Sequence, residues 1–383
     1  MTDRNVGADG CPPIHGDDNS MGSISHFILH FIAMVRADHR ADALMADGLA
    51  PTKRWSLGSR PPLHFSLICL LSLSLSLPAL AINKNAGTKN GDFLNLATDA
   101  RGVALGDAGV SIPEGVESMR WNPAGLSNVT MKEVAGTHVE YYQGVQVENV
   151  GFAYPLGGED GALALNAFYL SAGELDGRDS FGRQTGDFKF YDASATLGYG
   201  RKILTHNEGL DLSIGANVKI VQEKIADQSY QNPAFDLGFL GAPTEKLQFG
   251  LTARNIASSK ANFAREIVGG VSYAFFNKTF YPALAVNYSN NAPIRFSFSG
   301  EYKIQELDGA AIRAGYKTHD SLDDSEDSKI PVLRKAGLAG LTMGAGFNYR
   351  IPVLQTLSLG LDYAMAPFGA LGISHTITVK ARW

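Results

Sequence analysis

Four histidines lie downstream of residue 81, His138, His206, His319 and His375, and their spacing supports no chemistry. A zinc hydrolase places two histidines one helical turn apart beside a glutamate, as in H-E-x-x-H, and no such run occurs. No G-x-S-x-G nucleophile elbow is present either. The glycines fit neither G-x-G-x-x-G nor a P-loop, which argues against a phosphate cradle. Asp320, Asp323, Asp324, Glu326 and Asp327 form an acidic run without EF-hand spacing. It reads as a solvated loop, with cation-bridged contact to lipopolysaccharide as the alternative. No catalytic residue, cofactor or metal site is implied.

A different set of charges is regularly placed. Lys219, Arg254, Arg295, Glu301, Lys303, Arg313, Lys317, Asp362, Lys380 and Arg382 each sit in a run that alternates with apolar residues. At the C-terminus Leu371, Ile373, Ile377, Val379, Ala381 and Trp383 share one parity, and Gly372, Ser374, Thr376, Thr378, Lys380 and Arg382 the other. A period of two with one apolar and one polar face is a β-strand. His375 falls on the apolar parity, where an interfacial position explains it.

From residue 133 onward such runs recur between turn residues, as at 210–224, 246–255, 293–304, 309–318 and 356–365. About fourteen can be counted, mostly near the ~9–11 residues of a tilted membrane strand. The pattern predicts an all-β, transmembrane antiparallel barrel closed by a strand that ends on an aromatic residue. Ile377, Val379 and Trp383 are the expected assembly signal, read by the barrel assembly machinery. Long connections are expected on one rim, at 171–186, 225–231, 256–264 and 319–336. Around 145–170 the alternation blurs, with Val150, Phe152 and Phe168 reading on the polar parity. An apolar pocket in the wall and a shifted register both remain open there.

No apolar run after Ala81 approaches the ~18 residues of a spanning helix, yet a barrel needs none. Lys53, Arg54 and Arg60 precede an apolar run at 67–77, and Ala79-Leu80-Ala81 follows it. Basic flank, short apolar core and small-x-small site read as a secretory signal peptide over 53–81, hence Sec export and an outer-membrane destination in a Gram-negative cell. Residues 1–52 then read as a dispensable extension. Cys11 and Cys69 both precede the expected cut, so the mature chain would hold no disulfide. A formal charge of −5 spread along the chain argues against nucleic acid as a partner. The 42 glycines among 383 residues are about 11%, against a usual ~7%, so many close backbone approaches are expected.

Residues 82–132 do not alternate. They carry Phe93-Leu94, Ala100-Arg101, a glycine series at Gly102, Gly106 and Gly109, then Asn122-Pro123-Ala124-Gly125. Asn122 suits a helix cap, Pro123 its first position, and Gly125 a left-handed stop. The glycines are expected to let backbone pack against the barrel wall.

These motifs closely resemble the PorV/PorQ family of outer-membrane proteins, within the wider FadL-like barrels. The resemblance covers the downstream chain in layout and is specific in motif only from Phe93 to Leu126. It implies a fourteen-stranded barrel over 133–383, with 82–132 folded into the lumen as a hatch. Where the family tends to carry Ala-Asp-Asp, this chain has Ile112-Pro113-Glu114-Gly115, with Glu117 nearby. The family implies a non-enzymatic part in type IX-like protein secretion or surface export, with secreted proteins or translocon subunits as partners. The alternative is a FadL-like channel for hydrophobic small molecules. In both cases outer-membrane lipid surrounds the chain.

Overall fold

The computed structural model describes residues 89–141, 144–179, 181–205, 211–226, 228–258, 261–307, 309–318, 340–352, 356–368 and 372–383. The signal peptide, both cysteines, His206, His319 and the acidic run at 320–327 lie outside them.

Fourteen strands are described. They are β1 (Glu133–Glu140), β2 (Gln146–Pro155), β3 (Ala162–Arg178), β4 (Gln184–Thr205) and β5 (Asp211–Ile225). Then come β6 (Gln228–Ala242), β7 (Leu247–Ile256), β8 (Glu266–Tyr273), β9 (Phe280–Ser289) and β10 (Arg295–Ile304). β11 (Ala310–Lys317), β12 (Leu341–Arg350), β13 (Ser358–Pro367) and β14 (Ile373–Arg382) complete the wall. Each pairs antiparallel with its neighbours in sequence, and β14 returns to β1, so the sheet closes with no free edge. Closure is in register from Glu133↔Arg382 to Glu140↔His375. Beyond it, Lys132 and Trp383 exchange both backbone hydrogen bonds at 3.0 Å. Trp383 therefore marks one rim, called here the closing rim; the opposite end is the far rim.

The alternation is inverted relative to a soluble protein. On β14 Ser374, Thr376, Thr378 and Lys380 are buried inside, while Ile377 and Val379 are exposed outside. On β5 Ser213, Asn217 and Lys219 are inside and Ile214, Val218 and Ile220 outside. A wall whose outer face is apolar all round, with every strand paired, is a structure for lipid rather than water. Aromatic pairs stand near both rims: Phe152 lies 6.3 Å from Trp383, and Tyr169 lies 5.7 Å from Tyr191. No helix among the described residues is long and apolar enough to cross a membrane.

Two sequence expectations need correction. The connections at 171–186 and 225–231 are largely strand: β3 and β4 run 17 and 22 residues and meet in a hairpin above the far rim, and β5 and β6 extend to Ile225 and from Gln228. Past the aromatic pair the exposed residues are mixed, Glu174, Asp176, Asp187 and Lys189 among them, so the period of two no longer signals a strand. A bulge between Ser171 and Glu174, with Gly173 at φ 72°, shifts the register there. Near residue 150, Val150 and Phe152 face outward, whereas Phe168 is buried inside.

Candidate functional site: the filled lumen

The chain from residue 89 enters the barrel at the far rim and descends inside it. Asn90 bridges in parallel to Phe263, in the connection from β7 to β8, and Gly91 N donates to Glu223 of β5 at 2.7 Å. A 3-10 turn, Asp92–Asn95, then buries Phe93 and Leu94. The Phe93 ring stacks on Phe168 of β3 at 5.5 Å. These residues join Val139, Val147, Leu170, Val221 and Phe263 in one apolar cluster inside the lumen. Ala234 of β6 belongs to it too, and sequence reading left this cluster open because its members come from seven separate segments.

Below it the lumen turns ionic. Helix α1 (Ala100–Ala104) is capped by Asp99, whose carboxylate accepts from Gly102 N at 2.6 Å and from Trp121 Nε1 at 2.5 Å. Arg101 reaches Glu301 of β10 at 2.8 Å. Lys380 lies between Glu117 at 2.7 Å and Asp362 at 2.9 Å, and Arg313 meets Asp362 at 2.6 Å. On the other side Arg254 meets Glu266 at 2.7 Å, and Lys219 meets Asp236 at 2.8 Å. Almost every charge of regular spacing is thus drawn inward and paired. Buried ions survive only with partners, so the pairs made by Arg101 and Glu117 fix the inner segment to one position on the wall. Glu114 and Glu117, in place of the family's acidic run, take part: Glu114 pairs with Arg382 at 3.1 Å.

Asn122 follows helix α2 (Ser118–Trp121) and opens a 3-10 turn, Pro123–Asn128. Its Oδ1 accepts from Ala124 N at 3.1 Å, and its Nδ2 donates to Val110 O and Phe239 O at 3.0 and 2.9 Å. One amide therefore caps the turn, joins two parts of the inner segment and ties both to β6. Pro123 takes the first position, as expected. Gly125 does not adopt the left-handed stop. It is glycine because a Cβ there would lie 2.6 Å from Pro113 Cγ.

The glycine series divides the same way. Gly106 (φ +56°) packs on the backbone of Gly315 and Tyr316 in the wall. Gly102 and Gly109 instead face Trp121 of the inner segment itself, and a Cβ at Gly102 would fall 2.1 Å from its ring. The wall answers with glycines of its own. Gly200, Gly215 and Gly238 are cross-strand partners on β4, β5 and β6 and form a dent that seats Pro123 and Ala124. A Cβ at Gly215 would lie 2.3 Å from Pro123 C. In the sequence, glycine on the inward parity of three successive strands was the available signal.

Two spaces remain. A cavity of about 40 Å³ lies under the apolar cluster, lined by Phe93, Leu94, Met119 and Phe168 on one side and Glu117, Arg120 and Asn149 on the other. A wider one, about 340 Å³, borders Glu301, Lys303, Gln305 and Arg313 toward the closing rim. At that rim Lys278 bonds Glu245 at 2.9 Å and holds its carboxyl below the ordinary range. Among the described residues no group of three or more acids, histidines or cysteines could hold a metal ion.

Solved structures resemble this barrel. A FadL homologue of Pseudomonas aeruginosa shares 11% identity at a TM-score of 0.45, over 75% of this chain and 98% of that one. The toluene transporter TodX of Pseudomonas putida gives 11% and 0.47, over 74% and 96%. The toluene transporter TbuX of Ralstonia pickettii gives 12% and 0.44, over 74% and 97%. No family model matches the sequence, so PorV/PorQ membership has no support beyond the motif resemblance. No curated protein matches it either.

Proposed function

We propose that the chain is an outer-membrane channel for small hydrophobic molecules, with the inner segment as its gate. The observation that carries this reading is the apolar cluster inside the far-rim lumen. A water-filled pore lines its lumen with polar groups. Here Phe168, Leu170, Val139 and Val147 are buried inside the wall and share one cluster with Phe93 and Leu94 of the inner segment. Burial of such side chains is worth roughly 1.5–3 kcal/mol each. An apolar solute that displaced Phe93 and Leu94 would recover the same contacts, so exchange costs little. The outer-membrane assignment is supported by the closed wall and its apolar outer face.

Protein secretion, the first expectation from the family resemblance, draws no comparable support from the lumen. The segment that resembles the family is ion-paired into the barrel interior, and the wider cavity beside it, about 340 Å³, is small-molecule in size.

The test is uptake of a dye that fluoresces in apolar surroundings, such as N-phenylnaphthylamine, by the purified barrel. Saturable fluorescence that disappears with Phe168→Glu supports the channel. Dye that binds equally to the variant, with secreted proteins copurifying from native membranes, would favour secretion.

A further inference from the structure

At the far rim two carboxyl groups without a base border the apolar cluster. Asp192 on β4 and Glu223 on β5 are direct cross-strand partners, and both belong to the inward parity. Like charges so placed repel. Asp192 is only 6% exposed, and its Oδ1 is buried without a hydrogen-bond partner. Glu223 accepts one bond, from Gly91 N. Asp92 adds a third carboxylate within electrostatic reach of Glu223, itself bonded to Asn291.

Bases are close in sequence and turned away. Lys189 pairs with Glu174 at 3.4 Å, and Lys224 lies over the Tyr191 ring at 5.8 Å. Among the described residues no lysine, arginine or histidine forms an ion pair with Asp192 or Glu223. Apolar side chains stand beside them: Leu170 opposes Asp192 on its other side, and it shares a cluster with Phe168, Phe93 and Val221. A buried carboxylate without a partner is costly, and elsewhere in this lumen buried acids are drawn to bases. The acids also fail to converge on a point where a metal ion could bind.

We propose that this end of the lumen binds an organic cation, an ammonium group carried on a small apolar or aromatic body. The charge would sit between Asp192 and Glu223, and the body would lie against Phe168 and Phe93, whose ring faces also attract cations. The proposal rests on the lumen being a route for apolar molecules and narrows the class of molecule that travels it.

The experiment uses the purified full chain in detergent and three probes of one shape: 2-phenylethylammonium, phenylacetate and ethylbenzene. Binding is followed by saturation-transfer NMR. Phenylethylammonium should bind at least about tenfold more tightly than phenylacetate. Asp192→Asn and Glu223→Gln should each remove most of that preference, and the double variant all of it, in barrels still heat-modifiable on gels. Equal or tighter binding of phenylacetate overturns the proposal, as does a preference that survives both substitutions. If ethylbenzene binds and the charge makes no difference, the channel stands without a cation site. If none of the three binds, both readings fall.

Discussion

Lys380 of the last strand holds Glu117 of the inner segment at 2.7 Å, and the same ammonium holds Asp362 of the neighbouring strand at 2.9 Å. Closing the barrel and filling it are thereby linked at one buried atom, since β14 is also the strand that pairs with β1. Lys380→Met would leave the buried Glu117 carboxylate without its base and Asp362 with Arg313 alone. Breaking a buried pair in this way costs about 3–5 kcal/mol. The expected outcome is a lower unfolding temperature of the detergent-extracted barrel, partly restored by adding Glu117→Gln. A Lys380→Met barrel as heat-stable as the parent would show that the network is not dry.

Gly215 gives a sharper steric test. Gly215→Ala places a methyl 2.3 Å from Pro123 C, and backbone cannot yield as a flexible side chain does. The inner segment should lift from the wall while the inter-strand ladder stays intact. Planar-bilayer recordings should show raised or noisier conductance. Gly136→Ala is the control, because nothing lies within 4 Å of a Cβ there. Equal recordings from the two variants would remove the seat from the account.

Asn122→Ala removes a helix cap worth roughly 0.5–2 kcal/mol. It also leaves the Val110 and Phe239 carbonyls without their donor. Conductance should rise with the barrel still heat-modifiable, and deletion of residues 93–126 should raise it further. Failure of the deletion to assemble would make the segment part of the wall's folding nucleus.

Deleting Trp383 should lower the amount of folded barrel in the membrane. The deletion removes the last pair of hydrogen bonds of the closing seam and the ring that meets Phe152. Unchanged yield would count against Ile377, Val379 and Trp383 as an assembly signal.

The wall was legible where lipid enforces a two-residue period, as in β5, β10 and β14. It became illegible where that force stops. The β3–β4 hairpin beyond Tyr169 carries Glu174, Asp176 and Gly177 and reads as a loop. Inside, Asn122 and Pro123 announced a capped turn because capping is local chemistry. What that turn rests on was not announced: a strand glycine signals close approach without naming the partner. Only the register of β4, β5 and β6 brings Gly200, Gly215 and Gly238 into one dent. Phe168 illustrates the same limit, since its inward position depended on a register that the blurred stretch near residue 150 left undecided.

The central claim is that apolar solutes cross the lumen and that the inner segment must move to let them. Ser127 Oγ of the inner segment lies 2.9 Å from Ser213 Oγ of β5, so Ser127→Cys with Ser213→Cys should form a disulfide across the seat. Both cysteines of the sequence lie upstream of residue 81, leaving this pair alone in a barrel expressed from residue 82. The measurement is flux of a small hydrocarbon into proteoliposomes carrying that variant, oxidised and then reduced. The account predicts little flux when oxidised and parental flux after reduction. Equal flux in both states, or none from the parent, would contradict it.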